Sequence, residues 1–382
     1  MSPFPVVPDS LRLIGWPFAA GEGSPEWRDV FAAHPGARPM RVVEQHRSGY
    51  VVADAPDVAV KAESPPEWMR PPGFKKASTP NHERAAVGDW VLVEGDAPSR
   101  SRIAALLPRR SAIKRGAAGE HYHQQVIAAN IDTVFVVVGL DDDFNPRRIE
   151  RYLLLVGGGG ARTAAPQPVV VLTKADKREA GGGDAQATLA ALAQFDAPAF
   201  AVNAKDRASV AALDGFLGEG RTVVLVGSSG AGKSTLTNTL LGVEKMKTGA
   251  VRESDSRGRH TTTHRALIAL PTGACLIDTP GMRELKPTGE EDLAEGGFAD
   301  IEALAAQCRF RDCTHRNEPG CAVRAAIERG ELEPARLANY LKLRDEVAGA
   351  ADKLAQRLAQ KADARVQNKA LRKRLDEKRG KH

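Results

Sequence analysis

From Thr222 to Leu241 the chain reads as an apolar run, Thr222-Val223-Val224-Leu225-Val226, then Gly227-Ser228-Ser229-Gly230-Ala231-Gly232-Lys233-Ser234, then Thr235-Leu236-Thr237-Asn238-Thr239-Leu240-Leu241. This is GxxxxGK[ST] set between a buried parallel strand and a helix, and it restricts the surrounding domain to an α/β fold built around a phosphate loop. The three glycines let backbone N–H groups wrap a phosphate at the helix N-terminus, where the helix dipole favours negative charge. Lys233 is expected to reach the β- and γ-phosphates, and the Ser234 hydroxyl to ligate Mg²⁺, with Thr235 completing the nucleotide-contacting run. The alternative is a Gly/Ser-rich turn with no ligand, and the flanking strand and helix count against it.

Two further motifs select the nucleotide. Ala274-Cys275-Leu276-Ile277-Asp278 is a second apolar strand that ends in Asp278-Thr279-Pro280-Gly281, a DxxG arrangement. Asp278 is expected to hold Mg²⁺ through water, and the Gly281 N–H to sense the γ-phosphate. Upstream, Val169-Val170-Val171-Leu172 leads into Thr173-Lys174-Ala175-Asp176. A carboxylate at Asp176 can accept both the N1–H and the exocyclic N–H of guanine, a pattern adenine lacks. Thr173 stands where NKxD motifs carry Asn, which leaves its supporting contact open. Asn203-Ala204-Lys205, after another apolar strand, resembles the SAK element that lines the base.

The order of these motifs is TKAD, NAK, phosphate loop and DTPG, whereas an ordinary GTPase starts with the phosphate loop. A compact α/β domain tolerates such a circular permutation because its natural ends lie close together at the surface. The second switch then runs directly into the C-terminal segment of the chain.

That segment carries Cys308, Cys313, His315 and Cys321, three thiolates and one imidazole in CxxxxCxHxxxxxC spacing. The soft donor set selects tetrahedral zinc in a closed structural site. Three of the four cysteines of the chain are here, and the fourth, Cys275, reads as core. With no secretory signal, disulfides are not expected.

Ahead of the GTPase motifs, Arg41-Glu44, Gly49-Ala53, Val58-Lys61, Asp89-Val93 and Arg102-Leu106 are five short candidate strands, suited to a small barrel of the OB type. Arg109, Arg110, Lys114 and Arg115 after the last strand fit an RNA-facing patch or a solvated linker equally. The Pro-rich stretch 64–86, with Trp68, Arg70, Phe74, Lys75 and Lys76, reads as a mobile loop or as a base-stacking surface. Residues 1–38 show a short helix around Pro25 to Ala33 and no assignable chemistry. The net charge of +6 is concentrated in residues 351–382, where eleven Lys and Arg face four Asp and Glu. This segment is a helix running into a basic tail, either simply solvated or neutralising RNA phosphates. No apolar stretch approaches the roughly twenty residues needed to span a bilayer, so a soluble, cytoplasmic protein without a membrane partner is expected.

The permuted motifs, Gly258-Arg259-His260-Thr261-Thr262-Thr263, the Cys/His pattern and Asn130-Ile131-Asp132 together resemble the ribosome small-subunit-dependent GTPase A family, from about residue 38 to about residue 345. The resemblance implies a multi-domain chain: an N-terminal extension (1–38), an all-β OB-fold barrel (39–118), a circularly permuted α/β GTPase domain (119–290), a zinc-finger domain (291–345) and a basic helical tail (346–382). It implies a GTP hydrolase activated by the small ribosomal subunit in late subunit maturation, a monomer that binds rRNA, with other assembly factors as further partners. GTP/GDP, Mg²⁺ and one Zn²⁺ are the implied cofactors. Met282 follows DTPG where many GTPases place a water-orienting Gln, and a thioether cannot do that work. The resemblance gives that role to His260, with Thr261 or Thr262 closing on Mg²⁺ and the γ-phosphate; His260, Lys233 and Gly281 are the expected catalytic set. Two other readings remain, a GTP-dependent ribosome-binding module with incidental hydrolysis and a phosphate-loop kinase using ATP.

Overall fold

The structure is a computed structural model that describes residues 8–19, 22–46, 49–56, 58–70, 79–95, 101–116, 124–141, 144–157, 165–195, 197–243, 266–278 and 285–379, with the last helix followed as backbone alone beyond residue 363. The chain opens with a 3₁₀ turn, Asp9–Ile14, and helix α1 (Pro25–Ala33), whose first turn is capped by the Ser24 hydroxyl accepting from Trp27 N at 3.2 Å. Leu11, Ile14, Trp16 and Trp27 are buried against Trp90, Leu92, Leu107 and Cys275. Trp16 packs edge-on to Trp27 and Trp90, with centroids 5.2 Å and 4.8 Å away. At about 1.5–3 kcal/mol for each large apolar side chain buried, the extension is a structural plug.

Strands β1 (Arg38–Gln45), β2 (Tyr50–Ala55) and β3 (Val58–Ala62), helix α2 (Pro66–Met69), and strands β4 (Trp90–Glu94) and β5 (Arg102–Leu106) come next. β1 pairs with β2 and β4, β2 with β3, and β4 with β5, all antiparallel. A parallel bridge from Glu63 to Arg102 brings β3 onto β5, so the pairing returns on itself. Met40, Val42, Val52, Val91 and Ile103 fill the interior. Trp68 joins them, buried edge-on to Tyr50 at 5.9 Å, so it is a core side chain and not a base-stacking one. Phe74, Lys75 and Lys76 lie outside the described residues. Arg109 is likewise committed within the fold: its guanidinium pairs with the fully buried Asp89 carboxylate at 2.6 Å and donates to the Arg84 carbonyl. Arg110 faces Asp132 at 3.7 Å, and Lys114 meets Glu290 at 2.9 Å.

A hairpin, β6 (Ala112–Gly116) with β7 (Gln124–Ala129), leads into β8 (Thr133–Gly139), α3 (Pro146–Gly157), β9 (Gln167–Thr173), α4 (Ala175–Ala180), α5 (Ala185–Leu192), β10 (Ala199–Ala201), α6 (Arg207–Val210), β11 (Thr222–Val226), α7 (Lys233–Leu241), β12 (Ala266–Ala269) and β13 (Cys275–Asp278). The sheet order is β10-β9-β8-β11-β13-β12, parallel as far as β13 and antiparallel at β12. β8 and β11 are buried at every position because helices cover both faces, which is why they are unbroken apolar runs rather than alternating ones. β12 also touches β1 through Glu44 and Ala266, joining this sheet to the N-terminal strands. Beside that joint the fully buried Arg41 guanidinium donates to the Gly88 and Asn130 carbonyls at 3.2 Å and to the Thr222 hydroxyl at 2.8 Å. Gly15 is tightly constrained there: a Cβ would fall 1.9 Å from the Arg41 guanidinium.

The C-terminal part holds α8 (Ala299–Ala305), α9 (Ala322–Glu328) and α10 (Pro334–Arg379), with α10 continuous across the expected division at 345/346. Phe298, Ile301, Val323, Ala326, Tyr340 and Leu343 form its core, and Leu154 of α3 enters the same cluster. α3 is therefore two-faced. Ile149, Tyr152, Leu153 and Val156 pack into the sheet core, while Arg147, Glu150, Arg151 and Leu154, at helical i, i+3, i+4, i+7 spacing, face the C-terminal part. Gly289 adds a second contact: a Cβ there would lie 2.3 Å from Ala351 N of α10.

Candidate nucleotide site and metal centre

The phosphate loop leaves β11 at Gly227, whose φ of +145° no L side chain adopts readily, and a Cβ there would sit 2.1 Å from the Val137 carbonyl of β8. Gly230 and Gly232 also have positive φ, 78° and 92°, and Gly232 is the residue from which α7 starts. Lys233 folds back over the loop, donating to the Gly227 and Ser228 carbonyls at 2.8 Å and 2.6 Å. Ser228 is approached from α3 as well, where Arg148 Nη1 donates to its hydroxyl at 3.3 Å. No sequence signal singles out Arg148, because nothing in the pattern shows that the second residue of α3's Arg147-Arg148 pair turns toward the loop.

The base-side motif meets the same loop. Thr173 Oγ1, fully buried at the end of β9, donates to the Ala231 carbonyl at 2.6 Å, so the threonine found in place of asparagine ties TKAD to the phosphate loop. Lys174 takes a left-handed conformation (φ 62°) and ion-pairs with Asp141, a partner with no sequence signal. Asp176 is exposed at the start of α4, open to a ligand. Asn203 Oδ1 accepts from Lys205 N at 3.0 Å, and the Ala204 carbonyl accepts from Thr239 of α7 at 2.6 Å, stitching NAK to the helix behind the phosphate loop. The three segments that the sequence separates are thus brought together.

Asp278 ends β13 beside β11, half-buried. Burial pushes its carboxyl above the usual range, and the Lys233 ammonium opposes that. Asp278 therefore lies close enough to the phosphate-loop lysine to feel its charge. Gly281, His260, Thr261 and Thr262 lie outside the described residues.

The metal centre is built at the base of α9. The donor atoms of Cys308, Cys313, His315 and Cys321 lie within 4.8 Å of one another. Cys308 Sγ and Cys321 Sγ are 3.9 Å apart, and His315 Nδ1 stands 3.6 Å and 3.5 Å from them. A tetrahedron with metal–sulfur bonds of about 2.3 Å has edges of about 3.8 Å, so these three spacings are compatible with a zinc ion held by the cluster. Cys321 also caps α9, accepting from Arg324 N at 3.5 Å, and His315 sits at φ 62°, which turns its ring back toward the sulfurs. Burial and the neighbouring sulfurs push the Cys313 thiol up to about 11, a crowding that a bound cation relieves.

Known proteins resemble this chain in sequence and in fold. The model described as RsgA GTPase matches residues 106–288. The small ribosomal subunit biogenesis GTPase RsgA of Xanthomonas axonopodis pv. citri is 70% identical over 351 residues, 92% of each chain. The chain belongs to the RsgA GTPase family. The protein of the same name from Xanthomonas euvesicatoria pv. vesicatoria is 71% identical over 360 residues, 94% of each chain. Membership makes the protein a GTP hydrolase of ribosome biogenesis, using a guanine nucleotide with Mg²⁺. Among solved structures, YjeQ from Thermotoga maritima superposes with a TM-score of 0.56 at 23% identity, covering 82% of this chain and 99% of that one. YloQ, described as a circularly permuted GTPase, gives 0.54 at 22% identity over 84% and 97%. The RsgA fold, with its permuted order of strands, is therefore the fold of this chain. Residues 211–373 also match a model described as ABC transporter, a stretch that includes the strand, phosphate loop and helix from Thr222 to Leu241. No helix among the described residues is long and apolar enough to cross a membrane.

Proposed function

We propose that the protein is activated for GTP hydrolysis by the small ribosomal subunit, binds its rRNA during late subunit maturation, and leaves when GTP is spent. The observation that best supports this is the bond from Thr173 to Ala231, which ties the segment carrying Asp176 to the phosphate loop within a chain so similar to the RsgA proteins. In this reading Gly227, Ser228, Ser229, Gly230, Ala231 and Gly232 cradle the phosphates with Ser234 and Thr235, while Thr173, Lys174, Asp176, Asn203 and Ala204 hold the base. Lys233 stabilises charge on the γ-phosphoryl oxygens, and the Gly281 N–H follows the γ-phosphate. Ser234, Asp278 and Thr261 or Thr262 would hold Mg²⁺, which when bound neutralises the β- and γ-phosphate charge. His260 orients the attacking water, the task Met282 cannot perform.

The closed pairing of β1 to β5, in the order 1-2-3-5-4, supports an OB-type barrel within residues 39–118. Residues 119–290 form the GTPase unit, 291–345 a zinc finger in which Cys308, Cys313, His315 and Cys321 hold one Zn²⁺, and 346–382 a basic RNA-facing helix. The protein acts as a monomer in the cytoplasm, with other assembly factors as neighbours.

Turnover of GTP and ATP, each with and without purified small subunits, tests this. Strong stimulation confined to GTP is expected. Tight GTP binding without stimulation would overturn activation by the subunit, and ATP turnover would overturn the guanine assignment. His260→Ala should abolish stimulated turnover while GDP affinity is kept. Deleting residues 351–382 should weaken subunit binding and flatten its dependence on salt.

A further inference from the structure

Arg148 stands where two structural systems meet. Its own helix, α3, is bound to the C-terminal part along one face: Arg147 pairs with Glu333, Glu150 with Arg336 at 2.8 Å, and Arg151 with Glu346 at 2.7 Å. Asn339 Nδ2 donates to the Glu150 carboxylate at 2.5 Å, and it reaches the Arg147 carbonyl at 3.5 Å, the residue before Arg148. At its N-terminal end the same helix touches the phosphate loop, through Arg148 and the Ser228 hydroxyl. Ser228 in turn supplies one of the two carbonyls that receive Lys233.

We infer that Arg148 is a positioning residue for Lys233, through which the seating of the C-terminal part on α3 sets the phosphate loop. A guanidinium is suited to this because it is always charged and its donors are held in a rigid fork. Fixing the Ser228 side chain fixes the carbonyl on the same residue, and so the site from which the Lys233 ammonium reaches a phosphate. A packed helix with a core on each side moves as a body, so a shift of its C-terminal contacts is delivered at its N-terminal turn. Contact with the particle through α10 would then be felt at the loop without passing through either switch segment.

The inference rests on the reading of Lys233 as the phosphate ligand, and the test separates the two. In full-length protein, GTP turnover with and without small subunits is measured for Arg148→Ala, Asn339→Ala, the double variant and Lys233→Ala, with thermal unfolding as a control. Arg148→Ala should lower kcat of stimulated turnover by about tenfold while KM for GTP stays within about twofold. Asn339→Ala should lower it by a smaller factor, and the double variant should fall no further than Arg148→Ala alone, since both act along one route. Arg148→Lys should recover only part of the loss. An unchanged kcat in Arg148→Ala, or losses that multiply in the double variant, would overturn the coupling. Native turnover by Lys233→Ala would overturn the underlying reading and the inference with it. Should subunits fail to stimulate the native protein, the same cycle on unstimulated kcat decides the coupling by the same criteria.

Discussion

Arg336 of α10 and Glu150 of α3 form an ion pair at 2.8 Å in which the two side chains are 2% and 1% exposed. Arg336 also donates to Asp300 at 2.8 Å and to the Gly297 carbonyl at 2.8 Å, so its donors are nearly all used. Without Arg336 the Glu150 carboxylate keeps Arg147 at 2.6 Å and Asn339 at 2.5 Å, so the loss is that of charged hydrogen bonds rather than of a stranded charge. Arg336→Met is expected to lower unfolding free energy by about 1.5–3 kcal/mol, and adding Glu150→Leu should return part of it. Denaturant unfolding of the single and double variants measures both.

Thr173→Ala removes the hydroxyl that donates to the Ala231 carbonyl. An unmet buried acceptor costs about 1–3 kcal/mol of unfolding free energy, and a phosphate loop released from TKAD should bind GDP more weakly, while Thr173→Asn should stay close to native. Calorimetric titration with GDP distinguishes the variants.

The contact between Lys114 and Glu290 ties the β6–β7 hairpin to the segment that leaves the second switch. Burial alone would raise the Glu290 carboxyl, but the neighbouring Gln124 amide and the Lys114 ammonium, which donates to it at 2.9 Å, prevail and hold it below its usual 4.5. A depressed carboxyl stabilises the fold above its unfolded value and loses that contribution as pH falls through the folded one. Glu290→Gln should therefore lower Tm near neutral pH, by no more than about 1 kcal/mol equivalent because the pair is partly solvated. The difference between variant and native protein should vanish as pH falls below the usual carboxylate range and through the lowered folded-state value of Glu290. Thermal scans across that range read it directly.

Metal analysis should return about one zinc per chain, and Cys313→Ser should abolish it. Because Cys308, Cys313 and Cys321 also lie against the apolar cluster around Phe298 and Val323, chelation is expected to unfold this part and lower helical circular dichroism, leaving GDP binding within about threefold of native.

Much of this was legible in the chain. The five barrel strands, the parallel sheet and α7 follow from apolar runs and their punctuation, because burial on one or both faces dictates those patterns. The Cys/His cluster was legible from spacing, since its four donors fall within fourteen residues of chain. Partnership over long separations could not be read. Trp68 has the company of an RNA-stacking side chain, and only the closure of the barrel shows it inside. Arg109 has the company of an electrostatic patch, yet the buried Asp89 twenty residues earlier claims it. The tryptophans of the extension, Arg148 at the phosphate loop and Thr173 on Ala231 likewise depend on which surfaces meet, and local composition carries no record of that.

α10 reaches far beyond the core that anchors it. Its last residue in the apolar cluster is Val347, and the helix runs on to Arg379. At 1.5 Å per residue that is a boom of about 50 Å. Gly289 presses on it near the pivot, against Ala351. A tilt of about 5° there would sweep the far end through about 4 Å. A shift too small to matter at the pivot is thereby magnified many times over at the far end of the helix.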